Sequence, residues 1–171
     1  MGKRADAGTP ALKLLAERAV AHTAHPYATG AHAGDGFGDD AVRALREAGV
    51  DVDGHRVFKT LLADVDGHLV CAVVPVAGML DLKALAAAAG GKKAAMADPA
   101  RAQRSSGYVV GGISPIGQRT ALPTFVDTSA EGFATVLVSA GRRGLQVELA
   151  PADLLAVTGA RAAPVSRPVS R

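Results

Sequence analysis

Apolar residues recur along this chain with two periods. Leu12, Leu15, Ala16 and Ala19 share one helical face, and Thr9-Pro10 ahead of them offers a capping oxygen and a residue suited to the first helical turn. A second short helix is predicted from a cap at Asp39 or Asp40 through Ala48, stopped by Gly49. In the centre the pattern turns strand-like. Residues 56–63 and 68–76 are apolar, β-branched runs on either side of Asp64-Val65-Asp66-Gly67, a hairpin turn. Helices follow over 81–89 and from Asp98-Pro99 to about Gln103, and a last one over 151–158 before Gly159. Short extended segments are predicted at 108–110, 124–126, 135–139 and 145–149. Strands mixed irregularly with short helices argue for a mixed α/β (α+β) domain, not a regular doubly wound sheet.

At 171 residues the chain suits one domain. Residues 1–8 read as a flexible lead, 9–160 as the folded domain, and 161–171, with two prolines and three arginines but no period, as a disordered tail. The 19 basic and 16 acidic residues leave a net charge of +3, compatible with nucleic acid without proving it. No apolar run reaches the roughly 18 residues of a membrane span, and no apolar stretch follows the charged start, so a soluble, cytoplasmic protein is expected. The single cysteine, Cys71, excludes an internal disulfide and a zinc site built on several thiolates.

Several motifs invite chemistry. Asp-Val-Asp-Gly-His occurs at 51–55 and 64–68, but the twelfth loop position that a calcium site fills with Glu is Leu62 or Pro75, so both copies read as turns. His22, His25 and His32 show no recognised zinc spacing and read as solvated or substrate-edge histidines; no metal is expected. Cys71 lies in an apolar strand, where burial raises a thiol's pKa and makes it inert. Lys59 interrupts Val57-Phe58-Lys59-Thr60-Leu61-Leu62 on the face of Val57 and Leu61, so it either leaves at a strand edge or meets an anion in a cavity. A Gly-rich loop, 111–118, lets backbone amides approach an oxygen but is neither a P-loop nor a dinucleotide fingerprint. Gly141-Arg142-Arg143-Gly144 sets two positive charges beside two glycines, a phosphate contact or a solvated hairpin.

Together these segments resemble the YbaK/EbsC family, the aminoacyl-tRNA editing domain related to the insertion domain of bacterial prolyl-tRNA synthetases. The carriers, in order, are Thr9-Pro10-Ala11-Leu12-Lys13-Leu14-Leu15, Phe37-Gly38-Asp39, Val57-Phe58-Lys59-Thr60-Leu61, the run from Val74 to Lys83, and Met96-Ala97-Asp98-Pro99. The run from Gln103 to Gln118 is the most specific, and Gly141-Arg142-Arg143-Gly144-Leu145 completes the set. The resemblance implies a compact domain around a mixed, barrel-like sheet flanked by short helices. It also implies a free-standing deacylase that clears mischarged tRNA, typically Cys-tRNA(Pro), without a cofactor. Lys59 would hold the aminoacyl-adenosine end as the catalytic residue. Tyr27, Phe37 and Thr60 would line the pocket, and the loop of Gly111, Gly112, Ile113, Ser114, Pro115 and Gly117 would orient the ester carbonyl. Arg142 and Arg143 would contact the tRNA backbone. The substrate's own thiol would attack the ester, releasing tRNA and a cyclic thiolactone. Aminoacyl-tRNA is the implied partner, with prolyl-tRNA synthetase a further one and no membrane.

Two departures stand out. Gln146 occupies a place where the family's relatives carry an aspartate, and the loop between His25 and Phe37 is longer. Both bear on which amino acid is removed. The alternatives are an Ala- or Ser-tRNA deacylase using water or the ribose hydroxyl, and a non-catalytic module that binds tRNA or a synthetase.

Overall fold

The structure, a computed structural model, describes residues 8–29 and 37–169. Helix α1 (Pro10–Glu17) begins as its sequence dictates, with the Thr9 hydroxyl accepting from the Leu12 N–H at 3.2 Å, and it buries Ala11, Leu12 and Leu15. Strand β1 (Thr23–Pro26) follows, then α2 (Phe37–Glu47), which starts two residues before its expected cap. Strands β2 (Phe58–Val65) and β3 (His68–Pro75) form the central hairpin. Their register, Val65 opposite His68, leaves Asp66-Gly67 as a two-residue turn with positive φ at both positions, 51° and 92°. That conformation suits the right-handed strand twist and favours Asp-Gly.

After β4 (Gly78–Leu80) comes α3 (Leu82–Ala88), capped by Asp81, then β5 (Ala94–Met96) and α4 (Pro99–Ser106), capped by Asp98. Helix α4 runs three residues past the expected Gln103. The expected strand at 108–110 is instead loop, because its groups are taken locally: Val110 N–H donates to Gln103 Oε1 at 2.8 Å and Tyr108 N–H to Ser106 Oγ at 3.1 Å. Strands β6 (Thr124–Asp127), β7 (Val136–Arg142) and β8 (Leu145–Leu149), helix α5 (Pro151–Thr158), β9 (Arg161–Ala163) and β10 (Ser166–Pro168) complete the chain.

The strands pair in three sheets: β5-β2-β3-β6-β9, β1-β8-β7 and β10-β4. Within the first, β2 pairs antiparallel with β3 and β5, whereas β3, β6 and β9 run parallel. A bridge between Val57 and Leu137 ties the start of β2 to β7 and folds the first two sheets around one core. Strand β3 alternates between two apolar environments, which explains its unbroken run. Cys71 and Val73 face the main core with Leu15, Phe58, Val138 and Leu154, while Val70, Ala72 and Val74 face Leu85 of α3 and Phe125.

The carboxy-terminal segment departs from expectation. Residues 161–169 are not a disordered tail: β9 extends the large sheet beside β6 and β10 pairs with β4. The ordering force is tertiary. Val165 is fully buried, its N–H and that of Ser166 donate to Asp127 Oδ1 at 3.0 and 2.9 Å, and its carbonyl accepts from Asp81 N–H at 2.8 Å. Burial alone would raise the Asp127 carboxyl, but these bonds and those from Ser129 hold it below its ordinary range.

Asp127→Ala therefore leaves two amides without an acceptor and should cost about 1–3 kcal/mol of stability. Asp127→Asn should remove part of the pH dependence. The folded carboxyl titrates below its unfolded value, so its contribution is complete above about pH 4 and is lost as pH falls through the folded value. Melting temperatures from pH 7 to pH 2 should therefore converge for wild type and Asp127→Asn at the acid end; a constant gap would contradict this account.

Candidate active site

A cavity of about 410 Å³ lies between β2 and the β7–β8 hairpin. Of the residues assigned to the site by sequence, Lys59, Thr60, Tyr27, Gly111, Ile113 and Gln146 line it. Gly112, Ser114, Pro115 and Gly117 do not line it. The Phe37 side chain lies outside what the structure describes, as does the whole of His32.

Lys59 sits half-buried on β2, and its Nζ donates to the Gly78 carbonyl at 3.0 Å. Burial lowers its pKa from the ordinary lysine value, with Asp39 opposing the shift. Asp39 lines the same cavity from the first turn of α2. The ammonium thus has both an acceptor and a nearby carboxylate, which resolves the sequence ambiguity in favour of the cavity. Gly78 is itself held from behind, because β4 pairs with β10 and Gly78 lies opposite Pro168. A Cβ on Gly78 would come within 3.1 Å of the Arg167 carbonyl oxygen, so the strands meet closely there.

Across the cavity, Gln146 on β8 is buried, and its Oε1 has no hydrogen-bond partner. The Thr60 Oγ1 is likewise buried and unpartnered. Ser139 of β7 also lines the cavity, but its hydroxyl donates to the Gly112 carbonyl at 3.0 Å and accepts from Gly141 N–H at 3.2 Å. It is tied down as a brace and, among the described residues, has no histidine partner.

The glycine loop owes much of its character to packing. A Cβ on Gly112 would stand 2.7 Å from the Arg142 Cα, so only glycine lets the loop lie against the β7–β8 turn. Gly112 N–H donates to the Val109 carbonyl at 2.9 Å and Ile116 N–H to Ser114 Oγ at 3.1 Å, so these two amides are already committed. Ser114 and Ile116 are fully buried, and the Tyr108 hydroxyl donates to the Ile116 carbonyl at 2.7 Å. Burial pushes the Tyr108 phenol up to about 12.

Arg142 and Arg143 are exposed at the β7–β8 turn. Arg143 donates to the Val110 carbonyl at 3.2 Å and, with Tyr27 and Gly111, borders a smaller adjoining cavity of about 270 Å³. Tyr27 is fixed to the same turn, its N–H donating to the Gly144 carbonyl at 2.9 Å. Cys71 lies fully buried outside the cavity, and burial pushes its thiol up to about 12, so the inert reading holds.

The sequence reading missed a polar cluster behind Gln146. Glu148 accepts from Thr135 Oγ1 at 2.6 Å and from Arg56 at 2.7 Å, and pairs with His25 Nε2 at 2.7 Å. The Thr135 hydroxyl above all, then His25 and Arg56, hold its carboxyl below the usual range against its burial. The cluster ties β1, β8 and the residue before the Val57 bridge together. Among the described residues no group of His, Cys, Asp or Glu is placed to hold a metal, and no helix is long and apolar enough to cross a membrane.

This arrangement defines a mixed α/β domain with a partly apolar cavity, bearing one ammonium and one carboxylate, at the junction of two sheets. A model for the aminoacyl-tRNA editing domain matches residues 39–157. The chain is 32% identical over 166 residues, 96% of both chains, to EbsC of Enterococcus faecalis (strain ATCC 700802 / V583), whose name assigns it to Cys-tRNA(Pro)/Cys-tRNA(Cys) deacylation. A solved structure described as a trans-editing enzyme for prolyl-tRNA synthetase superposes with a TM-score of 0.76 at 22% identity, covering 92% of this chain and 95% of that one. The hypothetical protein APE2540 superposes equally well, at 0.76 and 22% identity over 92% and 99% of the two chains. At that identity these structures speak for the fold. The chain belongs to the aminoacyl-tRNA editing domain family, and its activity is that of a trans-acting aminoacyl-tRNA deacylase.

Because β10 backs β4, whose Gly78 carbonyl accepts from the Lys59 ammonium, removing residues 167–171 while keeping Val165 and Ser166 should preserve most of the melting temperature. It should lower deacylation on the order of tenfold by misplacing the ammonium. Unchanged turnover in the shortened chain would show that Gly78 needs no support from β10.

Proposed function

We propose that this deacylase removes cysteine from Cys-tRNA(Pro), with the substrate's own thiol as nucleophile. The observation that carries this reading is a cavity with an ammonium and unpartnered acceptors but, among the described residues, no activated protein nucleophile: Ser139 is braced and Cys71 is buried elsewhere. An aminoacyl ester is already reactive, so holding it in an attack geometry and stabilising the charge that develops can supply most of the acceleration.

In this scheme Lys59 Nζ holds the terminal adenosine end, and Tyr27 walls the cavity beside it. The substrate sulfur attacks the ester carbonyl carbon, a carbon–sulfur bond forms, and the carbon–oxygen bond to the ribose breaks. The proton of the thiol ends on the ribose oxygen, leaving intact tRNA and a thiolactone. Gln146 offers a neutral acceptor to the α-ammonium, and Asp39 supplies a carboxylate on the opposite wall. Arg142 and Arg143 at the rim suit the sugar–phosphate backbone of the acceptor end. Work beside prolyl-tRNA synthetase in the cytoplasm fits this substrate.

Release of labelled amino acid from tRNA(Pro) carrying Cys, Ala, Ser or the thiol-free isostere 2-aminobutyrate tests the reading. Turnover should be confined to Cys and fall at least about a hundredfold in Lys59→Ala, with the fold retained. Equal turnover of 2-aminobutyrate would replace the thiol with water or a ribose hydroxyl. Tight tRNA binding without release would leave a binding module.

A further inference from the structure

The cavity is bordered by six consecutive residues of one segment, Val57 to Leu62. Neighbouring side chains on a strand point to opposite faces, so a cavity that touches all six runs along the strand's edge. In an antiparallel ladder each residue sends its N–H and C=O to the same side, and successive residues alternate sides. Val57 C=O accepts from Val76 N–H at 2.8 Å, which turns the odd-numbered residues toward β3. Arg56 C=O accepts from Leu137 N–H at 3.1 Å and Leu62 C=O from Ala97 N–H at 3.1 Å, so even-numbered residues face outward.

Phe58 and Thr60 lie between those two anchors. Strand β7 pairs with this edge at the parallel Val57–Leu137 bridge, which takes the Arg56 C=O and the Phe58 N–H, and β5 pairs only with Ala63–Val65. The Phe58 N–H is spent on the Leu137 carbonyl within that bridge, but among the described residues no strand pairs with the outward N–H and C=O of Thr60. Phe58 is only 2% exposed, so this is an edge inside the protein, where an unpaired main-chain group is costly. The unpartnered Thr60 Oγ1 and Gln146 Oε1 belong to the same cavity.

We propose that the aminoacyl group docks on Thr60 as a one-residue strand. Its ester carbonyl accepts from Thr60 N–H, and its α-ammonium donates to Thr60 C=O. An aminoacyl ester keeps the N–Cα–C=O spacing of a peptide residue, so a single ligand residue makes both bonds of a hydrogen-bonded strand pair. The Thr60 N–H then points at the oxygen on which negative charge grows as the carbonyl carbon is attacked. This places carbonyl polarisation on β2 rather than on the glycine loop, whose Gly112 and Ile116 amides are already donated. The α-carbon's hand decides which face of the edge receives the side chain, so the seat reads the amino acid's backbone and leaves its side chain to the cavity walls. The inference rests on the deacylase reading.

The test is Thr60→Pro, which removes the N–H but no bond to β3, since proline is tolerated where the missing N–H faces away from the ladder. Thr60→Val loses the same hydroxyl and keeps the N–H. Thr60→Pro should reduce kcat/KM by about a hundredfold or more, against less than tenfold for Thr60→Val, with melting temperatures alike. Equal losses in the two variants overturn the proposal.

Should Thr60→Pro not fold, amide exchange in the wild-type protein decides. Thr60 N–H should exchange faster than those of Lys59 and Leu61 in the free chain. It should become protected on adding 3′-cysteinylamino-3′-deoxyadenosine, a non-hydrolysable aminoacyl-adenosine. A Thr60 amide already as protected as its neighbours, or one the analogue leaves unchanged while the amides of 111–113 respond, overturns it. Exchange does not depend on turnover, so protection of Thr60 in a protein that releases no amino acid would condemn the deacylase reading alone.

Discussion

Strand β2 bonds to three partners, and the gap between two of them makes the cavity. Its inner edge is zipped to β3 along its whole length. Its outer edge is held at Arg56 by β7 and from Leu62 onward by the segment that becomes β5. The outward groups of Thr60 are left without a strand partner between those points, among the described residues, in a place too enclosed for bulk water to satisfy them freely. The two sheets can close around one core only if they diverge here, because each takes its register from a different end of β2. The cluster of Arg56, Thr135, Glu148 and His25 fixes the upper end of that divergence, and the Leu62–Ala97 bond fixes the lower.

Lys59 depends on the same strand. Its side chain leaves β2 on the face toward α3, where an unpaired ammonium would be expelled. The Gly78 carbonyl and the nearby Asp39 carboxylate make the position tolerable. Gly78 is in turn one end of a relay that runs through β4, β10 and the amides of Val165 and Ser166 to the buried Asp127. A carboxylate far along the chain thereby contributes to where the Lys59 ammonium stands. Residues 165–168 belong to the cavity's support, although none of them lines it.

The glycine loop illustrates how one sequence signal can serve two ends. Gly112 is required because the backbone of Arg142 and Arg143 passes too close for any Cβ, and the buried Ser114 and Ile116 anchor the loop in the core. Gly111 and Ile113 alone of the predicted loop residues reach the cavity. The loop shapes a wall and seats the basic turn at the rim.

Local chemistry in the sequence determined much of this molecule. Thr9-Pro10, Asp81 and Asp98-Pro99 started their helices where capping oxygens stand, Asp66-Gly67 made its turn through two positive φ angles, and the alternation of β2 put Lys59 on an apolar face. These features need only neighbours a few residues away, so the sequence carries them openly. Strands β4, β5, β9 and β10, each three residues long, exist only because a partner strand is present, and their composition has too little alternation to announce them. The same holds for the order of residues 161–169, the His25–Glu148 pair and the support behind Gly78. Which edge of β2 stayed open was likewise a tertiary decision, since it depends on where two distant strands stop pairing.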